Sequence, residues 1–493
     1  MKKNLCSLFV AALLLLSSAC DNGFADINTN PNVPNTVTPN LLLPNIIRST
    51  VNENVSVSWG LGNLVVQHTA KIQFVNEDRY QWGEQNGIWN TMYNNLRDVD
   101  NLYRIASESQ PVQKNYQGIA LVLKSWMFSM ITDAYGDVPY SEATKAREGN
   151  YFPKFDTQEE IYTGILRDLA EANNLLNTAN ETVTGDILYG GNITRWKKLA
   201  NSLRVRYLMR ISNRRNVAAD LQAIVGNPAQ NPIFENNADN AALRYEPTVP
   251  NQFPLYTSRV GSLDEIRLSK TLADRLLALN DPRIRTFARP TVATANTANP
   301  QWVGVPNALD DNAALQFNGG AQNISRIGPA FYIDGFGIPT EADRDIARGI
   351  VMTYAELQFI LAEAAQKNLV TGTTTAQNYY ENGIRASFDF YRTAMPANYL
   401  AQPDVAFANG QALQRIGTQK WIALFFSGLE AWFDWRRTGI PAITPGPSNL
   451  NGNRVPVRFL YPSSAFNLNR TALDAAIARQ GPNDINTLVW WDK

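Results

Sequence analysis

Four successive stretches of the chain carry apolar residues at helical spacing, and they constrain the fold more than any other feature. They run from Ile88 to Ala106, Lys114 to Ala134, Thr157 to Asn177 and Thr194 to Ser212. In the third, Ile161, Ile165, Leu169, Ala172 and Leu176 fall on one face, and Thr157-x-x-Glu160 forms a capping box at its start. In the fourth, Trp196, Ala200, Leu203, Tyr207 and Ile211 form one stripe. The same pattern returns after residue 350. Thr353-x-x-Glu356 is a second capping box, Tyr354, Leu357, Leu361 and Ala364 share a face, and Ala376 to Thr393 is the partner stretch. Gln411 to Trp435 reads as one further helix, with Gly417 and Gly428 as its weak points. A helix pair of about 35–45 residues cannot bury its apolar face alone, so repeated pairs predict a stacked, tetratricopeptide-like α-α superhelix.

Between the helical blocks, residues 213–350 are rich in Asn, Pro and Gly, with short helical pieces such as Leu268 to Leu279. This predicts an irregular lobe with a few short strands, set into a mainly α scaffold that spans about 46–212 and 351–440. A loop-rich tail covers 441–493. Residues 46–493 are read as a single domain.

Composition narrows the chemistry. The chain of 493 residues holds 44 Lys+Arg against 44 Asp+Glu, which argues against nucleic acid as a partner, because phosphate binding needs a basic field. One histidine and two cysteines leave no basis for a zinc site or a disulfide framework. His68, in Leu64-Val-Val-Gln-His-Thr, reads as a packed side chain. No phosphate loop, His-Glu-x-x-His or Gly-x-Ser-x-Gly occurs. Asp310-Asp311 is read as solvated rather than as part of a calcium site. No cofactor, metal or catalytic residue is expected.

The amino terminus has secretory architecture. Lys2 and Lys3 precede the apolar run Leu8–Leu16, and Ser17, Ser18 and Ala19 precede Cys20. The run is shorter than a membrane span. Cys20 sits where a bacterial lipobox places its lipidated cysteine, with Ser17 in place of the usual Leu. Residues 1–19 are thus read as a signal peptide, and 20–45, rich in Asn, Pro and Thr, as a lipidated extended arm. The arm from Asp26 to Pro44 is expected to lie against a membrane partner.

Several blocks occur in a telling order: Asp26-Ile-Asn-Thr-Asn-Pro-Asn, Asp133-Ala-Tyr-Gly-Asp-Val-Pro-Tyr140, Ser325-Arg-Ile-Gly-Pro-Ala330, the segment from Met352 to Ala365, Leu429-Glu-Ala-Trp-Phe-Asp-Trp-Arg-Arg-Thr-Gly-Ile-Pro441, and Arg458-Phe-Leu-Tyr-Pro-Ser-Ser464. With the lipoprotein start, they make the chain resemble the SusD/RagB family of nutrient-binding outer-membrane lipoproteins of Bacteroidetes-type bacteria, over nearly its whole length. Ala465 departs from the acidic residue expected after Tyr-Pro-Ser-Ser. The resemblance implies a non-enzymatic protein on the outer cell surface that binds oligosaccharide, or peptide in RagB-like members. It also implies a SusC-like, TonB-dependent barrel as partner. The shared blocks are scaffold and supply no binding motif; Arg436 and Arg437 are therefore read as structural. The alternatives are a tetratricopeptide-like interaction scaffold without nutrient binding and a surface glycan hydrolase.

Aromatic residues in polar segments are the candidate ligand contacts, because sugar C–H faces stack on rings while hydroxyls need polar partners. Arg79, Tyr80, Trp82 and Asn86 lie in one such segment, and Trp302, Phe331 and Tyr332 in the irregular lobe. Trp82 and Trp302 are expected to face one shallow site.

Overall fold

The computed structural model describes residues 37–257, 264–332 and 339–493. Cys20 and the signal peptide lie outside these residues. Twelve helices of eight residues or more are described. They are α1 (Pro39–Val57), α2 (Asn86–Glu108), α3 (Lys114–Tyr135), α4 (Gln158–Leu175), α5 (Ile193–Arg210) and α6 (Ala218–Val225), then α7 (Lys270–Ala278), α8 (Tyr354–Gln366), α9 (Ala376–Phe390), α10 (Ala412–Ala423), α11 (Glu430–Thr438) and α12 (Arg470–Gln480). The chain is mainly helical, as the apolar spacing predicts. Consecutive helices α1 to α5 pack on one another, with α1 against α2, and α5 packs on α8, which carries α9 and α10. The superhelix therefore continues across the irregular lobe instead of stopping at it.

Three two-stranded antiparallel sheets are described, two of which hold the lobe in place. β1 (Thr69–Lys71) pairs with β5 (Ile266–Leu268), and β2 (Val138–Pro139) with β3 (Phe155–Asp156). β4 (Ala241–Leu243) pairs with β6 (Gly349–Met352) through a register shift at Ala241/Ala242. The last pair joins the lobe's two ends, and the first ties the lobe to the segment between α1 and α2.

The extended-arm reading is corrected at its carboxyl end, where the chain is helical from Pro39. Pro39 suits the first helical turn, since its missing N–H would be unpaired there anyway. Pro44 lies inside the helix, a placement that costs roughly 3 kcal/mol. Leu43, Ile46, Ile47 and Val51 are fully buried on the same helix, and at about 1.5–3 kcal/mol each their burial outweighs that cost.

Thr157–Glu160 forms the predicted reciprocal capping box. The second box is corrected to half of one. The Thr353 hydroxyl accepts the Glu356 N–H at 3.2 Å, but the Glu356 carboxylate turns away to Arg206, with both contacts at 2.6 Å. The single helix expected from Gln411 to Trp435 is two. The break lies at Phe426 and Gly428, both with positive φ, while Gly417 stays within α10.

Buried charges weld the helices together. Besides Arg206–Glu356, joining α5 to α8, Arg210 reaches Glu430 at 2.6 Å and Asp133 at 3.3 Å. Arg437 grips Glu363 in fork geometry at 2.6 and 2.5 Å, and Lys420 meets Asp434 at 2.7 Å. Burial alone would raise the Glu363 carboxyl, but Arg437 outweighs it and holds the group at about 2. Arg436 pairs with Asp492 and donates to the Asp133 carbonyl, so both arginines are structural, as read from sequence. The tail is fastened rather than loose. Gln480, at the end of α12, donates to the Tyr135 carbonyl at 3.1 Å and accepts the Asp137 N–H at 2.7 Å. This needs glycine at 136, where φ is +90° and a Cβ would fall 1.8 Å from the Gln480 side-chain Oε1.

Candidate ligand-binding site

The aromatics singled out in the sequence are mostly packing residues. Trp82 is only 7% exposed. Its ring meets Trp432 and Phe459 edge-on at 5.8 and 5.7 Å, and its indole N–H donates to the Glu77 carbonyl at 3.0 Å. Tyr80 is buried, and Phe331 lies buried in a stack on Phe426 at 4.5 Å. Tyr332 is also buried, beside the Arg289 guanidinium. Trp302 is half-buried; its N–H donates to the Ala288 carbonyl at 3.0 Å, and Arg285 lies over its ring. The expectation that these rings are free to stack on a ligand is corrected for Trp82, Tyr80, Phe331 and Tyr332. Trp82 and Trp302 have separate surroundings and do not form one shallow platform. Arg79 is committed to the Ser448 carbonyl at 2.7 Å. Asn86 opens α2, half-buried, with its amide on Glu84 at 3.1 Å.

The segment from Lys71 to Asn86 nevertheless borders a cleft. At the end of α1 the chain widens into a π-helical turn, Ser58–Gly62, a departure common at functional sites. Gly62 lets this turn approach the α10–α11 break, since a Cβ there would sit 2.2 Å from the Gly428 carbonyl oxygen. Between the turn, β1 and the start of α2 lies a cleft of about 360 Å³. Val57, Leu61, Ile88 and Phe459 supply apolar surface, and Glu53, Ser56, Lys71, Glu77 and Gln85 supply polar groups.

The cleft's charges are arranged rather than scattered. The Lys71 ammonium lies 2.9 Å from Glu77 and 3.1 Å from Glu265. Burial works to lower it, but the two carboxylates prevail and raise it, so it stays charged. Burial raises the Glu53 carboxyl, against a hydrogen bond from Thr91 at 3.2 Å. Glycine at 87 permits Glu53 to approach α2, because a Cβ there would fall 2.3 Å from its Oε1. The turn linking Lys71 to Glu77 carries Phe74, 72% exposed with φ +52°. Phe74 is the open aromatic of this segment, and sequence reasoning passed it over for Trp82.

A second cleft, of about 230 Å³, flanks the other side of α2's first turns. Trp89, Tyr93, Tyr151 and Phe155 line it with Ser464 and Asn469. Tyr151 and its neighbour Phe152 are each 70% exposed and Leu468 is 72% exposed. The wall is held in place, with Tyr93 donating to the Pro139 carbonyl at 2.7 Å and Asn469 to the Pro153 carbonyl at 2.6 Å. The acidic residue missing at 465 has a substitute. Glu84, from the segment before α2, accepts the Ser463 N–H at 3.0 Å and its hydroxyl, capping the short helix Ser463–Leu468 and bridging the two clefts' rims.

His68 is fully buried against Trp421, its Nε2 2.9 Å from that residue's carbonyl oxygen, and burial depresses it to about 3. Asp310 caps a short helix by accepting the Ala313 N–H at 2.9 Å. Among the described residues no group of His, Cys, Asp or Glu is placed to hold a metal ion, and no helix is long and apolar enough to cross a membrane.

Comparison with known proteins bears on the family and the fold. A family model described as SusD-like, starch-binding associating with outer membrane, matches residues 31–462. A SusD homologue of Bacteroides fragilis is 28% identical, with a TM-score of 0.79 over 93% of this chain and all of that one. A chitin-binding protein is 27% identical, with a TM-score of 0.79 over 92% of this chain and all of that one. A chitin-binding SusD homologue of Flavobacterium johnsoniae is 25% identical, with a TM-score of 0.75 over 92% and 98%. A search of the curated proteins gave no match. The chain belongs to the SusD-like family of outer-membrane-associated nutrient-binding proteins, which bind their ligands and are not enzymes.

Proposed function

We propose that this protein captures an oligosaccharide at the cell surface, in the two clefts beside the start of α2, and delivers it to a SusC-like TonB-dependent barrel. The observation that carries this reading is the pairing of a polar, apolar-floored cleft with a ring-lined one. A sugar chain presents hydroxyls and C–H faces in alternation, and Lys71, Glu77 and Gln85 suit the first while Trp89 and Tyr151 suit the second. Chitin binding by two similar structures favours glycan over the peptide alternative. In this reading Cys20 carries the lipid anchor, and the Asn/Pro-rich arm that begins at Asp26 contacts the barrel.

The test is calorimetric titration of the protein lacking residues 1–20 with chitohexaose, maltoheptaose and a peptide mixture, with chromatography of the ligand afterwards. Saturable binding without turnover is expected, and Tyr151→Ala or Phe74→Ala should each weaken it about tenfold, since ring contacts contribute roughly 1–1.5 kcal/mol. Unchanged affinity in both variants would sink the site assignment, and absence of any binding would favour the interaction-scaffold alternative. Cys20→Ala should release the protein from the membrane fraction; full retention would place the anchor elsewhere.

A further inference from the structure

A third cleft, of about 480 Å³, lies away from α2, where α5, α9 and the segment before β6 meet. Arg195, Arg348 and Arg392 line it, with Asp345 and Asp389. In the core, Arg206 is paired with Glu356 and Arg283 with Asp281. In this cleft one carboxylate is shared by three guanidiniums. Asp345 takes Arg244 at 3.0 Å, Arg348 at 3.1 Å and Arg392 at 3.0 Å. Glu341 likewise serves both Arg244 and Arg344. Arg195, half-buried on the first turn of α5, makes no ion pair among the described residues. Asp389 is exposed and is drawn into no ion pair there either.

The result is a concave wall where three guanidiniums face two carboxylates, leaving it net positive. Burial lowers the Arg348 guanidinium, and although Asp345 raises it, repulsion from Arg244 and Arg392 adds to the lowering. An added oxyanion would relieve that repulsion. Planar guanidiniums suit carboxylate and sulfate oxygens, which they bind in fork geometry. The donors come from three separate parts of the chain, so the fold, not one local charge run, assembles them.

We propose that this cleft binds the acidic group, a uronate carboxylate or a sulfate ester, of an anionic oligosaccharide, at a site separate from the α2 clefts. The choice of a glycan as carrier of that group rests on the proposed nutrient class; the preference for an oxyanion rests on the arginines alone.

The experiment titrates the same protein with tetragalacturonate, its fully methyl-esterified form, a sulfated chondroitin tetrasaccharide, chitohexaose and inorganic sulfate, at 50 and 500 mM NaCl. Tetragalacturonate or the sulfated tetrasaccharide should bind at least tenfold more tightly than the methyl ester, and the binding should weaken in high salt. Arg195→Glu, which breaks no internal ion pair, should reduce it at least tenfold while leaving chitohexaose affinity and the melting temperature unchanged. Equal affinity for acid and ester, or no effect of Arg195→Glu, overturns the proposal. Sulfate binding as tightly as either acidic glycan would show an adventitious anion site and would overturn it too. Chitohexaose binding without acidic binding removes this cleft but leaves the nutrient reading intact. Failure of every glycan removes the nutrient reading itself.

Discussion

Trp82→Ala separates a packing tryptophan from a ligand-stacking one. The structure places the indole against Trp432 and Phe459 with its N–H on the Glu77 carbonyl. Truncating a buried tryptophan typically costs about 3–5 kcal/mol, a range that already includes edge-on ring contacts. We take about 4 kcal/mol. Unfolding entropy near the melting point is roughly 2.1 cal/mol/K per residue, so 493 residues give about 1 kcal/mol per degree. The expected fall in melting temperature is therefore about 4 °C, small for so large a loss because the protein is large. Scanning calorimetry resolves it. Trp82→Phe, which keeps a ring against Trp432, should lose about half as much. Phe459 lines the polar cleft as well as touching Trp82, so nutrient affinity should change by less than about threefold. A tenfold loss of affinity with the melting temperature within 1 °C of wild type would refute the packing argument and return Trp82 to the binding surface.

Three further outcomes follow from the buried charges and the caps. Glu363→Leu leaves Arg437 without its forked partner in the core and should cost about 3–5 kcal/mol; Glu363→Leu with Arg437→Leu should recover part of this, which chemical denaturation of the single and double variants will measure. Native His68 stays neutral to about pH 3 while the unfolded chain protonates near 6.5, so its contribution to stability is intact above pH 6.5 and is lost as pH falls below it. His68→Gln should therefore lose about 2 kcal/mol less than wild type between pH 7 and pH 5, measured by urea unfolding at both. Thr157→Ala should cost about 1 kcal/mol, through the lost cap on α4, with a melting shift of about 1 °C.

The helices were legible because burial on one face leaves a 3.6-residue rhythm, and α2 to α5 lie within two residues of the stretches read from spacing. The pairing of β4 with β6 was not, since it joins strands more than a hundred residues apart and neither is long enough to show alternation. The candidate site is not legible as side chains. The polar segment around Trp82 borders a cleft, yet the ring's direction depends on Trp432 and Phe459, which no local pattern reveals. Phe74 emerges into solvent instead. The sequence did carry one usable signal at the cleft itself: Gly60 and Gly62 on either side of Leu61, inside an otherwise helical stretch, where α1 widens into its π turn.

Several of the blocks that made the family recognisable carry buried charges. Asp133, Glu356, Glu363, Glu430, Asp434, Arg436 and Arg437 all lie within them, and their partners Arg206, Arg210 and Lys420 are themselves buried. Replacing one member of a buried pair leaves the other charge uncompensated, at a cost of several kcal/mol, so each residue is tied to its partner and the block to its place in the superhelix. The exposed rings beside the clefts carry no such tie. Phe74 and Tyr151 are exposed, and changing either disturbs little of the core. A chain of this kind therefore states its scaffold plainly and its ligand faintly. The groups that specify the fold are locked to each other across the core, whereas the exposed rings proposed to meet the nutrient are free to differ with little cost to folding. Resolving the ligand consequently requires binding measurements on the exposed rings and on Arg195, where substitution alters recognition and leaves the superhelix standing.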